Sequence, residues 1–381
     1  MSSKETAALG LYVHLPFCEA KCTYCHFAID PRRPDRDREE RYLRALRAEM
    51  EGAPALPADS LYFGGGTPSL VSIPQLARVI DLARSRFLLP DGAEVTLEAN
   101  PRDLDPAGYR ALRALGVGRL SLGVQSFDDR VLAEMGRLHG AADARRAVAW
   151  ARGAGFANVS LDLILGWPGE TRERWARNLE GLRALAPDHV SLYVLEVEGK
   201  TALAHRARRG ELALPDEDLT VDLYWSSVEA LDALGLARYE ISNFARPGRE
   251  SLHNRKYWDD APFLGFGMSA HSYLDGRRFW NLPGYAAYCH AIETGGGQAA
   301  VCGERLLDPR QRAAEALFTG LRRREGVELA VFHATHGVDP FQAYADLRDA
   351  LDAGLVTAEG GRLRLTDAGV LLSNEVFQAF V

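Results

Sequence analysis

The run LYVHLPFCEAKCTYCHF, residues 11–27, decides how this chain is read. It opens on the apolar stretch Leu11–Leu15, which has strand character. A short loop follows with Cys18, Cys22 and Cys25 spaced C-x3-C-x2-C. The chain has five cysteines, and the other two, Cys289 and Cys302, stand alone. An odd count with one tight group points to a metal site and away from a disulfide framework. Four thiolates would occupy every iron of a cubane [4Fe–4S] cluster. Three leave one iron without a protein ligand, open to chelation by a small molecule. The spacing lets a single loop wrap the cluster, and Tyr24 can offer its ring to an adenine. A zinc knuckle completed by His14 or His26 is the competing reading. It lacks the second, separated pair of ligands that zinc sites commonly have.

Outward from this run, the first 200 residues alternate β-like and helix-like segments. Strands are predicted at 11–15, 60–63, 94–98, 119–124, 158–165 and 189–197. Amphipathic helices are predicted at 38–50, 73–87, 106–115, 141–153 and 171–185. Repeated β-then-α order means parallel strands joined by right-handed crossovers. Order alone leaves a partial barrel and a doubly wound open sheet both possible. Polar and glycine-rich features gather at the strand ends. The cysteine loop follows the first strand, Gly64–Gly66 the second, Glu98 ends the third, Gln125 the fourth, and Asp162 lies in the fifth. Carboxyl ends of strands are where α/β proteins build their sites.

Beyond residue 200 the alternation fades. A helix is predicted over 216–234 and a strand over 239–244, followed by an aromatic, glycine-rich stretch from His253 to Tyr273. From about residue 306 the texture changes to helices at 310–323 and 340–353, then Leu355-Val356-Thr357, a Gly-Gly turn and a strand at 362–365. This resembles a small winged-helix-like α+β domain. The expected division is 1–240, a connecting segment 241–305, and 306–381.

A net charge of −7 over 381 residues gives no broad basic face, so nucleic acid is not an expected partner. The second C-terminal helix carries more acidic than basic residues, which would repel phosphate. With 47% hydrophobic and 25% charged residues the composition suits a globular protein. No apolar run has the length of a membrane span, and the polar start MSSKETAALG lacks a secretory signal's apolar core. A cytoplasmic location is expected.

The opening run belongs to an ordered series of motifs: YFGGGTPS (62–69), LEANP (97–101), LSLGVQSF (120–127), RLH (137–139), LDLILGWPGET (161–171), HNRKYW (253–258) and GFGMSAHSY (265–273). Together they resemble the radical S-adenosylmethionine (SAM) superfamily over most of the chain. Within it they resemble the branch of oxygen-independent coproporphyrinogen III oxidases (HemN) and HemW-type haem chaperones. The resemblance implies a partial (β/α)6 barrel. It implies that Cys18, Cys22 and Cys25 ligate a [4Fe–4S] cluster, with Tyr12 and Tyr24 beside cluster-bound SAM. Gly65 and Gly66 would bring backbone to the SAM amino group. Glu98, Gln125, Arg137 and Asp162 would contact its sugar, amino-acid portion or carboxylate. Taken singly, Glu98 and Asp162 read as helix caps or surface charges and Arg137 as a solvated helix residue. Gly64–Gly66 lacks the Gly-Lys-Ser/Thr of a P-loop.

Two features separate the branches. The oxidases carry a fourth cysteine two residues after the third, where this chain has Phe27, and they lack the HNRKYW segment. Both differences imply a chaperone that binds haem and delivers it to a haem-acceptor protein, respiratory ones included. A homodimer formed on cluster loading is part of that implication. His253 is the preferred haem ligand and His271 the second, since neutral imidazole ligates haem iron. The competing reading of His253 is a histidine hydrogen-bonded in a structured loop. Two alternatives remain: an oxidative decarboxylase of porphyrinogens and a radical SAM transferase with another substrate.

Overall fold

The computed structural model of the chain describes residues 8–197 and 199–380. Twelve strands form one sheet: β1 (Leu9–Leu15), β2 (Ala58–Gly65), β3 (Glu94–Ala99), β4 (Arg119–Gln125), β5 (Asn158–Leu165), β6 (His189–Val194), β7 (Ala237–Arg238), β8 (Asn243–Ala245), β9 (Phe263–Phe266), β10 (His271–Leu274), β11 (Arg277–Asn281) and β12 (Val301–Leu306). Their order is β12-β11-β10-β9-β1-β2-β3-β4-β5-β6-β8-β7. β9 and β1 to β6 are parallel, while antiparallel strands extend both edges.

This order settles the ambiguity in the β/α alternation. A doubly wound sheet reverses its strand order at a switch point, whereas β1 to β6 follow one another without reversal. They form the six predicted units of a partial barrel, and the described strands do not close it. Each strand turns alternate residues to opposite faces. Leu11, Val13, Leu61, Phe63, Val95, Leu97, Leu120 and Leu122 join Leu43, Leu46, Leu76, Val79 and Ile80 of the surrounding helices in the main core. The opposite face carries a polar row in which Tyr12 stacks on Tyr62, Tyr62 bonds Glu98, and Ser121, the register partner of Glu98, bonds Asp162. Helix starts are set by capping: Asp35 accepts from Arg38 N–H, Thr171 from Arg174 N–H and Asp216 from Leu219 N–H.

The segment 241–305 does more than connect. Its strands β9 to β12 enlarge the sheet beside β1. Its helix Leu252–Trp258 crosses the amino ends of β1 to β3. There the Glu94 carboxylate accepts from Leu252 N–H (2.9 Å) and His253 N–H (3.0 Å). Lys256 Nζ donates to Ala8 O (2.8 Å) and pairs with Asp59 (2.8 Å). Of the predicted strand 239–244, residues 243–244 fall in β8, while 239–242 form the turn between β7 and β8, where the Glu240 carboxylate accepts from Ser242 N–H (2.9 Å) and Asn243 Nδ2 (2.5 Å) and bends the chain.

The C-terminal unit has its own core, with Leu317, Leu321, Phe332, Leu347, Leu363 and Val376. Helix Pro309–Gly320, β13 (Val327–Glu328), helix Leu329–His336, two short helices, β14 (Val356–Glu359) and β15 (Arg362–Leu365) follow in the winged-helix order. The helix predicted over 340–353 is two, Pro340–Ala343 and Asp346–Asp352. Between them Tyr344 takes extended angles and its hydroxyl donates to Arg310 O (2.7 Å). No helix among the described residues is long and apolar enough to cross a membrane.

Candidate functional site

β1 delivers the chain to the carboxyl rim of the barrel, where the cysteine loop is tied at its base. Gly66 N–H donates to Leu15 O (2.8 Å), Asp30 N–H to Pro16 O (2.8 Å) and Cys18 N–H to Asp30 O (3.1 Å). The far side is pinned to two helices that follow later strands. Thr23 N–H donates to Met135 O (3.0 Å), and Thr23 O accepts from Leu203 N–H (2.9 Å). Tyr24 lies edge-on to Trp167 with centroids 6.1 Å apart, in an apolar group with Val131, Met135, Ile164 and Leu203.

The three thiols differ in setting. Cys18 is buried with its Sγ 3.5 Å from Thr67 Oγ1. Burial pushes its thiol up to about 11, and burial also raises Cys25. Cys22 Sγ lies 3.6 Å from Arg137 Nη1. The Arg137 guanidinium also donates to Gly123 O (2.7 Å) and to Asn100 Oδ1, and Asn100 Nδ2 donates to Thr67 Oγ1 (3.2 Å). A buried thiol gives up its proton when a metal takes its place, and the neighbouring guanidinium offsets thiolate charge. Among the described residues, no three His, Cys, Asp or Glu side chains converge on a point that one metal ion could occupy. A cubane places its thiolates on different irons and does not require that convergence. His14 is spoken for at both nitrogens, by Ala28 O (2.7 Å) and Tyr12 Oη (3.1 Å). The donor set therefore fits an iron–sulfur cluster better than a Cys3His zinc ion.

Beneath the loop lies the polar row. Tyr12 stacks on Tyr62, whose hydroxyl donates to Glu98 Oε1 (2.8 Å). Ser121 Oγ donates to Asp162 (3.1 Å). Burial raises both carboxyls, Glu98 to about 7 against the opposing pull of Tyr62. Gln125 ends β4 in the left-handed region, φ 65°. That is a costly conformation for a side chain, and such strain concentrates at functional sites. Gln125 Nε2 and Arg137 Nη2 flank Gly123, 3.0 and 3.1 Å from where its Cβ would stand. Gly65 has φ 110°, and a Cβ there would meet the His14 ring at 2.6 Å; one on Gly66 would meet the Pro16 carbonyl at 2.6 Å. These glycines are thus already required by the close approach of β2 to the end of β1. Asn100, Thr67 and Trp167 support the loop and were not singled out from sequence, although each sits inside a recognised motif.

His253 lies at the other end. It lies against Gly10 and Ser60 at the amino ends of β1 and β2, about 20 Å down the strand from the cysteine loop at ~3.3 Å per residue, with its ring stacked on Tyr62 (centroids 5.2 Å) at the lower end of the polar row. It is 1% exposed. Its Nδ1 bonds Ser60 Oγ (3.1 Å) and its Nε2 bonds Tyr257 Oη (2.9 Å). Burial, with Lys256 and Arg119 nearby, lowers it to about 3, so it is neutral. His189 is placed in the same way, between Ser160 Oγ (2.8 Å) and Tyr239 Oη (2.9 Å). The two histidines floor the barrel around Arg119, whose Nε and Nη1 have no hydrogen-bond partner. His271, by contrast, is exposed on β10 with its ring stacked on Trp280, centroids 5.8 Å apart.

Sequential parallel strands, a three-thiol loop on their carboxyl rim and a polar interior beneath it define a radical SAM-type protein. The family model of the radical SAM superfamily matches residues 12–181, and that of the HemN C-terminal domain matches 307–372. The chain is 39% identical to heme chaperone HemW of Mycobacterium tuberculosis, covering 98% of this chain and 94% of that protein. It is 36% identical to heme chaperone HemW of Bacillus subtilis, covering 97% and 98%. The solved structure of Escherichia coli coproporphyrinogen III oxidase, HemN, a radical SAM enzyme, superposes with a TM-score of 0.84 at 25% identity, covering 98% and 90%. The chain belongs to the HemW family of the radical SAM superfamily.

Proposed function

We propose that this chain is a haem chaperone that binds haem and passes it to an acceptor protein. The observation that carries the reading is full-length likeness: 39% identity to a haem chaperone over 98% of the chain, against 25% to HemN. Phe27, exposed on the rim where the oxidases carry a further cysteine, supports it. Cys18, Cys22 and Cys25 hold a [4Fe–4S] cluster, which when bound supplies an iron with an open position for SAM. Arg137 neutralises charge beside Cys22 and presents its guanidinium to a carboxylate. Tyr12, Tyr24, Gly65 and Gly66 line the SAM position. Glu98, Gln125 and Asp162 offer hydrogen-bonding groups from the interior. The protein acts in the cytoplasm, on a respiratory haem acceptor, and pairs with a second copy when loaded.

Of the two expected haem ligands, His253 has both nitrogens engaged and would have to leave the barrel floor to reach a haem iron. His271 has its ring at the surface beside an indole. A haem titration of the anaerobically reconstituted protein, followed by its Soret band, tests the function, with His271→Ala and His253→Ala alongside. Saturable binding shifted in His271→Ala supports the reading and places the ligand there; a shift in His253→Ala alone places it at the floor. Non-saturable absorbance, the same in all three proteins, sinks the chaperone reading. The fold likeness to HemN supports one second reading, porphyrinogen decarboxylation. SAM-dependent formation of a decarboxylated product under anaerobic conditions would establish it.

A further inference from the structure

Where the C-terminal unit meets the β7 edge of the sheet there is a cavity of about 190 Å³. Five arginines and one acid, Asp367, are among its lining residues, the arginines being Arg238, Arg322, Arg323, Arg324 and Arg364. They come from both sides of the junction. Arg238 lies on β7 and Arg364 on β15. The turn 322–324 is hydrogen-bonded to the sheet-side segment through Ile241 N–H to Arg322 O (3.2 Å) and Arg324 N–H to Tyr239 O (3.0 Å).

The charges do not balance within the wall. Arg323 is engaged, with Asp259 at 2.6 Å and Gly326 O at 2.9 Å. Arg238 reaches Asp367 only at 3.6 Å, and that carboxylate is 80% exposed. Arg322 reaches the buried Glu240 only at 3.6 Å while lying over the Trp258 ring. No ion pair to Arg324 or Arg364 is found among the described residues. The Nε atoms of Arg322 and Arg364 are buried without a hydrogen-bond partner. Buried donors are rarely left unmade, and guanidinium groups match oxyanions with paired N–H bonds.

Size narrows the ligand. The cavity exceeds the ~30 Å³ share of one water and falls short of the roughly 300–1,000 Å³ that encloses a cofactor. We propose that it binds a small oxyanion, a phosphate or carboxylate group, held jointly by Arg364 from the C-terminal unit, Arg322 and Arg324 from the junction turn, and Arg238 from the sheet edge. Such an ion ties the C-terminal unit to the sheet.

The test is calorimetric titration of the full-length, metal-free chain with inorganic phosphate and separately with succinate, using sodium chloride at matched ionic strength as the blank. Saturable binding of at least one is expected, weakened about tenfold in Arg364→Met, as for loss of one charge-assisted partner. Preference for succinate assigns a carboxylate-bearing ligand and preference for phosphate a phosphate-bearing one. Arg324→Gln, whose side chain is exposed, should weaken binding several-fold and decides the matter if Arg364→Met does not keep the wild-type circular dichroism. Heats no different from chloride for both anions, or affinity unchanged in the folded variants, overturn the site.

Discussion

Cys18 shows how a residue can be legible in sequence while its chemistry is not. The spacing with Cys22 and Cys25 marks the loop, but burial and Thr67 set the thiol's state. Cys18→Ala should abolish the visible iron–sulfur absorption of reconstituted protein, while the far-ultraviolet circular dichroism stays unchanged because the loop's backbone bonds do not involve the thiol. Gly65→Ala places a methyl 2.6 Å from the His14 ring at a positive φ. A loss of roughly 1–3 kcal/mol is expected from urea unfolding. For His253 the sign follows from burial. Its folded-state pKa, about 3, lies below the ordinary 6.5, so the unfolded chain takes up the proton first. Its contribution is complete above about 6.5 and is lost as pH falls toward 3, at up to about 1.4 kcal/mol per pH unit. Urea midpoints measured from pH 7 to about 5 should fall less steeply in His253→Gln than in wild type. His139 and His189, also lowered by burial, keep part of the slope.

At the scale of elements, the helix Leu252–Trp258 depends on partners that come from distant strands. Glu94 accepts from its first two N–H groups, where an anion is favoured by the helix dipole. Glu94→Ala should cost about 2 kcal/mol and raise hydrogen exchange in 252–258 ahead of the rest of the barrel. Strand β5 and the helix Ala141–Gly153 occur over the residues that periodicity predicts, because each is a long segment with one apolar face. Strands β9 to β12 gave little signal. They are four to six residues long, and their place beside β1 rests on pairing that no local pattern encodes. The predicted strand 239–244 is strand only at 243–244, because Glu240 turns the backbone before it through its own side chain.

For the whole molecule, the cysteine loop and the C-terminal unit sit on a framework held by its own backbone hydrogen bonds and apolar cores. The loop is closed by backbone hydrogen bonds across its own base and to two helices. Cluster removal by a chelator should therefore lower the thermal midpoint, through lost binding to the folded state, while leaving secondary structure intact. A scan of apo and reconstituted protein checks this; collapse of helix content on iron removal would contradict it. What the sequence determined by itself is what lies close along the chain. The C-x3-C-x2-C loop puts three thiols within eight residues, and the β-then-α alternation sets parallel strands with their polar ends on one rim. Only the tertiary structure decided the rest. It ordered the strands without a switch point, and it placed the HNRKYW helix at the amino ends, with His253 neutral in the floor and Trp258 beneath Arg322 of the C-terminal unit. The physical reason is that a motif's residues state which bonds it can make. Which end of the barrel it meets is set by partners such as Glu94, Asp59 and Ser60, far from it in sequence.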